Sequence, residues 1–128
     1  MKTNRAVVIT GASRGIGKSC LNIFSKNNYN IWACSKNENA DFKLYCEKIA
    51  NEYEINITNL FFDFSKSDEV SEAGKLISSK ENNLEALVNC AAIIDTSFFQ
   101  LTKIEKIREL TSYITHFNFS FVDLWFIG

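Results

Sequence analysis

The sequence predicts an α/β fold with a doubly wound parallel sheet, and three observations support this prediction. Strand-like and helix-like patterns alternate four times at close spacing. The first strand is a continuous apolar run, which is typical of a strand that is buried on both faces. A glycine-rich turn joins that strand to a helix. In such sheets the ligand binds in the crevice at the carboxyl ends of the strands.

The first strand and the first helix have the clearest patterns. Residues 6–10 form the apolar run. Residues 16–26 carry apolar side chains at helical spacing, and we expect this stripe to face the sheet. The stripe consists of Ile16, Cys20, Ile23 and Phe24.

The remaining elements follow in alternation. Strands are predicted at 29–34, 55–64 and 84–90, and helices at 41–53 and 67–79. A polar loop at 35–39 precedes the second helix, whose apolar face is formed by Phe42, Tyr45, Cys46, Ile49 and Tyr53. We expect Ser67 to cap the third helix, with Asp68 and Glu69 in its first turn, where the helix dipole favours acidic side chains.

Composition limits the classes of function. The 128 residues make at most one domain, and 46% of them are hydrophobic, which is enough for a core. The net charge of -1 and the dispersed Lys and Arg residues do not favour nucleic acid as a partner. No apolar run has the length of a membrane span, and the amino terminus lacks the apolar core of a signal peptide. We therefore expect no membrane association and a cytoplasmic location.

The cysteines do not predict a metal site. The four cysteines are far apart, none forms a Cys-x-x-Cys pair, and His116 is the single histidine. We expect each cysteine to be a small buried side chain.

The glycine-rich turn predicts a phosphate-binding site. Gly11, Gly15 and Gly17 allow the backbone to turn tightly, to approach a pyrophosphate and to pack the following helix against the first strand. The free N–H groups and the positive dipole end of that helix would face the phosphates. An ordinary strand-to-helix turn is the alternative.

A P-loop is a second, less favoured interpretation of the same segment. Gly17, Lys18 and Ser19 satisfy a permissive form of the P-loop pattern, and Asp63 follows an apolar run as a magnesium-binding Asp would. A P-loop needs a longer phosphate-wrapping loop before its Lys, however, so this interpretation fits poorly.

Two segments resemble motifs of the short-chain dehydrogenase/reductase family. Thr10-Gly11-Ala12-Ser13-Arg14-Gly15-Ile16-Gly17 resembles the family's cofactor motif in all eight positions. Asn89-Cys90-Ala91-Ala92 is similar to the family's Asn-Asn-Ala-Gly motif, with Ala92 in place of the glycine. The resemblance implies a Rossmann-type sheet, a dinucleotide cofactor, and oxidoreductase chemistry on an alcohol or carbonyl substrate. This second match also disfavours the P-loop.

The resemblance implies a set of cofactor-binding residues. These are Gly11, Ser13, Arg14, Gly15, Ile16, Gly17, Ser35, Lys36, Asp63, Asn89 and Ala91. Many NAD-binding members carry an acidic residue after the second strand, whereas this chain has Ser35 and Lys36. With Arg14, these side chains could contact a ribose 2′-phosphate, so we expect NADP rather than NAD. Solvated loop residues without a ligand are the alternative, and Asp63, which matches the family's adenine-contacting Asp, could instead cap a turn.

The family's catalytic Asn, Ser, Tyr and Lys cannot be assigned. No tyrosine is followed by a lysine four residues later, and Asn118 is out of register with the family's Asn. Residues 111–128 are rich in aromatic side chains with strand-like alternation. We therefore predict a partial NADP-binding domain at 1–110 and an atypical tail at 111–128, which indicates a truncated or frame-shifted product.

Two classes of function remain open. The first is an NADP(H)-dependent oxidoreductase, of which this chain supplies the cofactor site. The second is a non-catalytic dinucleotide-binding fragment or interaction module. In either case we expect the chain alone to be inactive and to self-associate through the exposed edge of its fourth strand.

Overall fold

The computed structural model describes residues 3–91 of the chain. They form β1 (Ala6–Thr10), α1 (Gly15–Lys26), β2 (Asn30–Ser35), α2 (Ala40–Tyr53), β3 (Ile57–Phe61), α3 (Ser67–Lys80) and β4 (Leu84–Asn89). Ala92, Asn118 and the aromatic tail at 111–128 lie outside the described residues, so the predictions made for them stay predictions.

The four strands form a parallel sheet in the order β3-β2-β1-β4. The chain proceeds outwards from β1 to β3 and then crosses to the other side of β1, which creates a switch point between β1 and β4. At that edge Thr10 is paired with Cys34 on one side and with Asn89 on the other. The doubly wound sheet predicted from the sequence is confirmed.

Helices cover both faces of the sheet. On one face, Val7 and Ile9 of β1 belong to a buried cluster with Leu21 of α1 and Phe42 of α2. On the other face, a second cluster is formed by Val8, Trp32, Cys34, Phe64, Val70 and Ile77, the last two from α3. Every residue of β1 is buried, as the continuous apolar run predicted. This burial on both faces supplies the main favourable free energy of folding.

The predicted sheet-facing stripe of α1 is partly wrong. Ile16 and Ile23 are 76% and 60% exposed, whereas the buried positions of the helix are Gly17, Leu21 and Ser25. These three residues are four apart and share one face. The rotation of α1 is set by the close approach of Gly17 to the turn, which a hydrophobic pattern does not encode.

Two serines also differ from their predicted positions. Ser35 is the last residue of β2 and is only 4% exposed, instead of beginning a polar loop. Its backbone carbonyl accepts the N–H of Phe62, which keeps it in the sheet. Ser67 is the first helical residue of α3 rather than its cap, since Lys66 holds the N-cap position and makes no capping hydrogen bond through its side chain.

Residues 3–91 lack two further structural features. None of their helices has the length and apolar character that a membrane span requires. The same residues contain no cluster of three or more histidine, cysteine, aspartate or glutamate side chains arranged to bind a metal ion.

Candidate functional site

The carboxyl ends of β1 and β4 are joined by the buried hydroxyl of Thr10, which is 1% exposed. Thr10 Oγ1 accepts the backbone N–H groups of Cys90 and Ala91, each at 3.1 Å, and lies 3.3 Å from Asn89 Oδ1, to which it donates. The two motifs singled out in the sequence are therefore in direct contact. The pattern of the first strand does not predict this role for Thr10, although a polar residue that ends an apolar strand is a usable signal.

Two of the three glycines are required by packing. Gly11 has φ +64°, and a Cβ there would lie 2.7 Å from the backbone nitrogen of Ala91. A Cβ at Gly17 would lie 1.9 Å from the carbonyl oxygen of Gly11. The turn, the first helix and the end of β4 thus approach one another at distances that exclude side chains.

Gly15 differs from the other two glycines because its surroundings are open. It has φ +57°, a left-handed conformation that favours glycine, yet a Cβ added there would meet no atom of residues 3–91 within 4 Å. Half-buried Ser13 and exposed Arg14 precede it in the same turn. Space for a ligand therefore lies at the start of α1, as the pyrophosphate interpretation requires.

The N-terminus of α1 lacks the features that usually stabilise a helix start. Arg14 holds its N-cap position in an extended conformation without a side-chain capping bond, and its first turn has no acidic residue. In α2 the Asn39 side chain accepts the N–H of Phe42, and α3 has Asp68 and Glu69 in its first turn. Among the described helices, α1 alone presents an uncompensated positive end, which suits an anion.

The end of β2 lies beside the glycine turn. The N–H of Ala12 donates to the carbonyl of Cys34 at 3.1 Å. The next residue, Ser35, has a buried hydroxyl without a hydrogen-bond partner among the described residues. Lys36 follows with a half-exposed side chain. A buried hydroxyl without a partner is costly, so this atom is suited to bind a group that the protein itself does not supply.

Asp63 makes two kinds of contact just beyond β3. Its Oδ1 accepts the backbone N–H of Ser65 at 3.0 Å and the Ser65 hydroxyl at 2.7 Å. These bonds, together with the positive charge of Lys36, hold the pKa of Asp63 below its usual value. Its Oδ2 lies 3.9 Å from Lys36 Nζ. The turn-capping alternative thus describes one carboxylate oxygen, and the other is paired with Lys36.

The P-loop interpretation does not fit the position of Lys18. Its ammonium group lies 4.2 Å from the centre of the Tyr45 ring, in a cation–π contact with α2. A P-loop lysine would instead reach towards phosphates at the helix start.

The structure brings most of the predicted cofactor residues to one edge of the sheet. The glycine turn, Ser35, Asn89 and Ala91 lie at the ends of the three adjacent strands β2, β1 and β4. Lys36 and Asp63 are joined to this group through the end of β2. Exposed Ile16 lies in the first turn of α1.

Comparisons with known proteins give a family match and a set of similar structures. The family model of short chain dehydrogenases matches residues 5–120. The bulky-bulky ketone specific alcohol dehydrogenase from Comamonas testosteroni is similar with a TM-score of 0.83 and 19% identity, over 95% of this chain and 48% of that chain. No curated protein matches the sequence.

Two further similar structures were solved with NADPH. A short-chain dehydrogenase from Sphingobium yanoikuyae has a TM-score of 0.81 and 18% identity, over 94% of this chain and 46% of that chain. L-sorbose reductase from Gluconobacter frateurii, complexed with NADPH and L-sorbose, has a TM-score of 0.82 and 19% identity, over 96% and 48%. The chain thus spans about half the length of these proteins.

Proposed function

Since the chain belongs to the short-chain dehydrogenase family, we propose that it binds NADP(H) at the carboxyl ends of β1, β2 and β4, as the cofactor-binding part of an oxidoreductase that acts on an alcohol or carbonyl group. The observation that carries the proposal is the open space at Gly15, in front of the uncompensated N-terminus of α1. A diphosphate has the charge and size that such a site favours.

The preference for NADP(H) is supported by the residues that follow β2. The hydroxyl of Ser35 has no partner among the described residues and can donate a hydrogen bond to a 2′-phosphate. Lys36 and Arg14 are exposed and add positive charge. The carboxylate of Asp63, whose Oδ2 lies 3.9 Å from Lys36 Nζ, partly offsets the positive charge of Lys36. We propose that Asp63 contacts the adenine ring and orients Lys36 by this ion pair.

The start of α1 and the end of β4 each hold a different part of the cofactor. The start of α1 holds the diphosphate, and Asn89 and Ala91 line the nicotinamide ribose. When bound, the nicotinamide supplies or accepts the hydride. The residues of this chain orient it, because Thr10 fixes the end of β4 against the glycine turn.

Proton transfer is not assigned to any residue between 3 and 91. Tyr29 is hydrogen-bonded to Glu85 at 2.9 Å, and Tyr45 is hydrogen-bonded to Asn22. A general acid must reach the substrate oxygen, and a tyrosine acid needs a group that lowers its pKa. We therefore propose that the chain alone has no dehydrogenase activity.

The experiment is a fluorescence titration of NADPH and NADH against the wild type and two variants. We expect the wild type to bind NADPH more tightly, and Lys36→Asp to lose about ten- to a hundred-fold in NADPH affinity, as a charge-assisted contact of about 1.5–3 kcal/mol implies. Gly15→Val should abolish binding of both cofactors. Lys75→Asp makes the same charge change at an exposed position on α3 and should leave affinity unchanged.

The outcomes separate the candidates. Equal affinity of the wild type for NADPH and NADH contradicts the 2′-phosphate assignment, and normal binding by Gly15→Val contradicts the diphosphate site. Tight magnesium-dependent binding of ATP would instead support a P-loop. Binding without turnover of a panel of carbonyl compounds is the expected result, and turnover well above background would contradict the assignment of no proton donor.

A further inference from the structure

The four cysteines divide into two buried thiols and two half-buried thiols. Cys34 and Cys46 are buried, and burial raises the pKa of Cys34 to about 12 and that of Cys46 to about 11. The thiolate is the reactive form, so both are poor nucleophiles. Cys20 in α1 and Cys90 just after β4 are half-buried and free. The expectation that every cysteine is buried therefore holds for only two of them.

The side chain of Cys90 lies on the α1 face of the sheet. Ala86 and Val88 of β4 pack against the buried cluster that contains Leu21. Since side chains alternate along a strand, Cys90 continues this row. Its N–H donates to the carbonyl of Thr10 at 3.2 Å, which extends the pairing of β1 and β4 by one residue.

Cys20 of α1 also lies close to the glycine turn and the end of β4. A Cβ at Gly17 would meet Gly11, and a Cβ at Gly11 would meet the carbonyl group of Cys90 at 2.8 Å, so these backbones are stacked. Cys20 is three residues after Gly17 and lies on the same side of α1. Burial raises the pKa of the Cys90 thiol, and so does the neighbouring Cys20 thiol.

We propose that Cys20 and Cys90 form a redox-sensitive dithiol, which glutathione disulfide oxidises to an intramolecular disulfide. The Cys20 thiolate attacks one sulfur of glutathione disulfide, so that its S–S bond breaks and one glutathione thiolate leaves. The Cys90 thiol then loses its proton and attacks the Cys20 sulfur of the mixed disulfide, which releases the second glutathione. The two cysteines lose two electrons and two protons, and glutathione disulfide gains them.

The bond would tie α1 to the end of β4, directly behind the glycine turn. It would close a loop between residues 20 and 90, and a cross-link over so long a loop restricts the unfolded chain strongly. Oxidation should therefore raise the midpoint of thermal unfolding. Neither the reaction nor this shift requires a bound cofactor, so the inference goes beyond the proposed function and does not depend on it.

The test is peptide mapping of the full chain after incubation in glutathione buffers of increasing disulfide content. Free thiols are blocked with N-ethylmaleimide, and the chain is cleaved with trypsin. The four cysteines fall in four separate tryptic peptides, 19–26, 27–36, 44–48 and 81–103. We expect 19–26 to be linked to 81–103, at a mass two hydrogen atoms below the sum of the reduced peptides. Dithiothreitol should reverse the link.

Variants and an unfolded control complete the test. Cys20→Ser and Cys20→Ala should lose the linked peptide, and Cys90→Ser should leave glutathione on Cys20. Cys34→Ala should retain the link, and wild type oxidised in guanidinium should give mixed pairings. The proposal is overturned if the folded wild type yields no 19–26 to 81–103 link, or if it links Cys34 or Cys46 as readily. The wild-type map decides the question even where a variant fails to fold.

Discussion

The side chains of Thr10 and Asn89 meet at the carboxyl end of the sheet, with Thr10 Oγ1 3.3 Å from Asn89 Oδ1. The same hydroxyl accepts two backbone N–H groups just after β4. One buried oxygen thus positions the glycine turn relative to the second motif, although 79 residues separate them. The geometry of the candidate cofactor site depends on this contact.

Replacing Thr10 with valine should lower the free energy of unfolding by about 1–3 kcal/mol, because the N–H of Ala91 loses its acceptor without a change in side-chain shape. Urea denaturation followed by circular dichroism measures the loss. Thr58→Val is the matched control, since Thr58 is an exposed strand residue, and should change the free energy by less than about 0.5 kcal/mol. Equal effects of the two substitutions would show that the hydroxyl of Thr10 has no special role.

The glycines of the turn should respond differently to alanine. Gly17→Ala places a Cβ 1.9 Å from the carbonyl oxygen of Gly11, and should cost about 3 kcal/mol or more. Gly15→Ala meets no atom in the described part of the chain, so its cost should be limited to the left-handed backbone, about 1–2 kcal/mol. Denaturation curves of both variants test the difference. A Gly15→Ala variant that is destabilised as much as Gly17→Ala contradicts the open site.

Two apolar residues of α1 should differ sharply in their contribution to stability. Leu21→Ala removes a fully buried side chain and should cost about 2–5 kcal/mol. Ile23→Ala, in the same helix, changes a side chain that is 60% exposed, and should alter the free energy of unfolding by less than about 0.5 kcal/mol. Thermal unfolding of the pair checks the rotation of the helix. A large loss at Ile23 would favour the stripe predicted from the hydrophobic pattern.

Asp63 should make stability depend on pH in the acidic range. Its pKa is lowered in the folded chain, chiefly by the two bonds from Ser65. Its contribution is therefore fully present above the ordinary aspartate pKa of about 3.9 and is lost as the pH falls through the lower pKa of the folded state. Asp63→Asn should reduce this dependence, as measured by unfolding between neutral and strongly acidic pH.

Ser65→Ala provides a second check on the same carboxylate. Loss of the hydroxyl should move the pKa of Asp63 upwards, towards its ordinary value, in a carboxyl NMR titration. An unchanged titration would mean that the Ser65 hydroxyl does not stabilise the charged form.

The sequence by itself determined the order and type of the seven described elements and the parallel sheet. Short-range patterns carry this information, since a continuous apolar run marks β1 and helical spacing marks α2. The ends of the elements were predicted less well. The third strand is the shorter segment Ile57–Phe61, and β2 continues through Ser35. Strand ends depend on pairing with a neighbour, and that neighbour is distant in the chain.

Only the tertiary structure decided which residues meet at the site. Gly17 sets the rotation of α1 because it touches Gly11, and Thr10 joins β1 to the end of β4. The same stacking places Cys20 of α1 on the side of the sheet where Cys90 lies. Each of these contacts joins a residue of the first motif (Thr10 to Gly17) or of α1 to a backbone or side chain that comes close only when the chain folds. The periodicity of a sequence reports which face of an element is apolar, but the close approach of two backbones is fixed only when the elements pack.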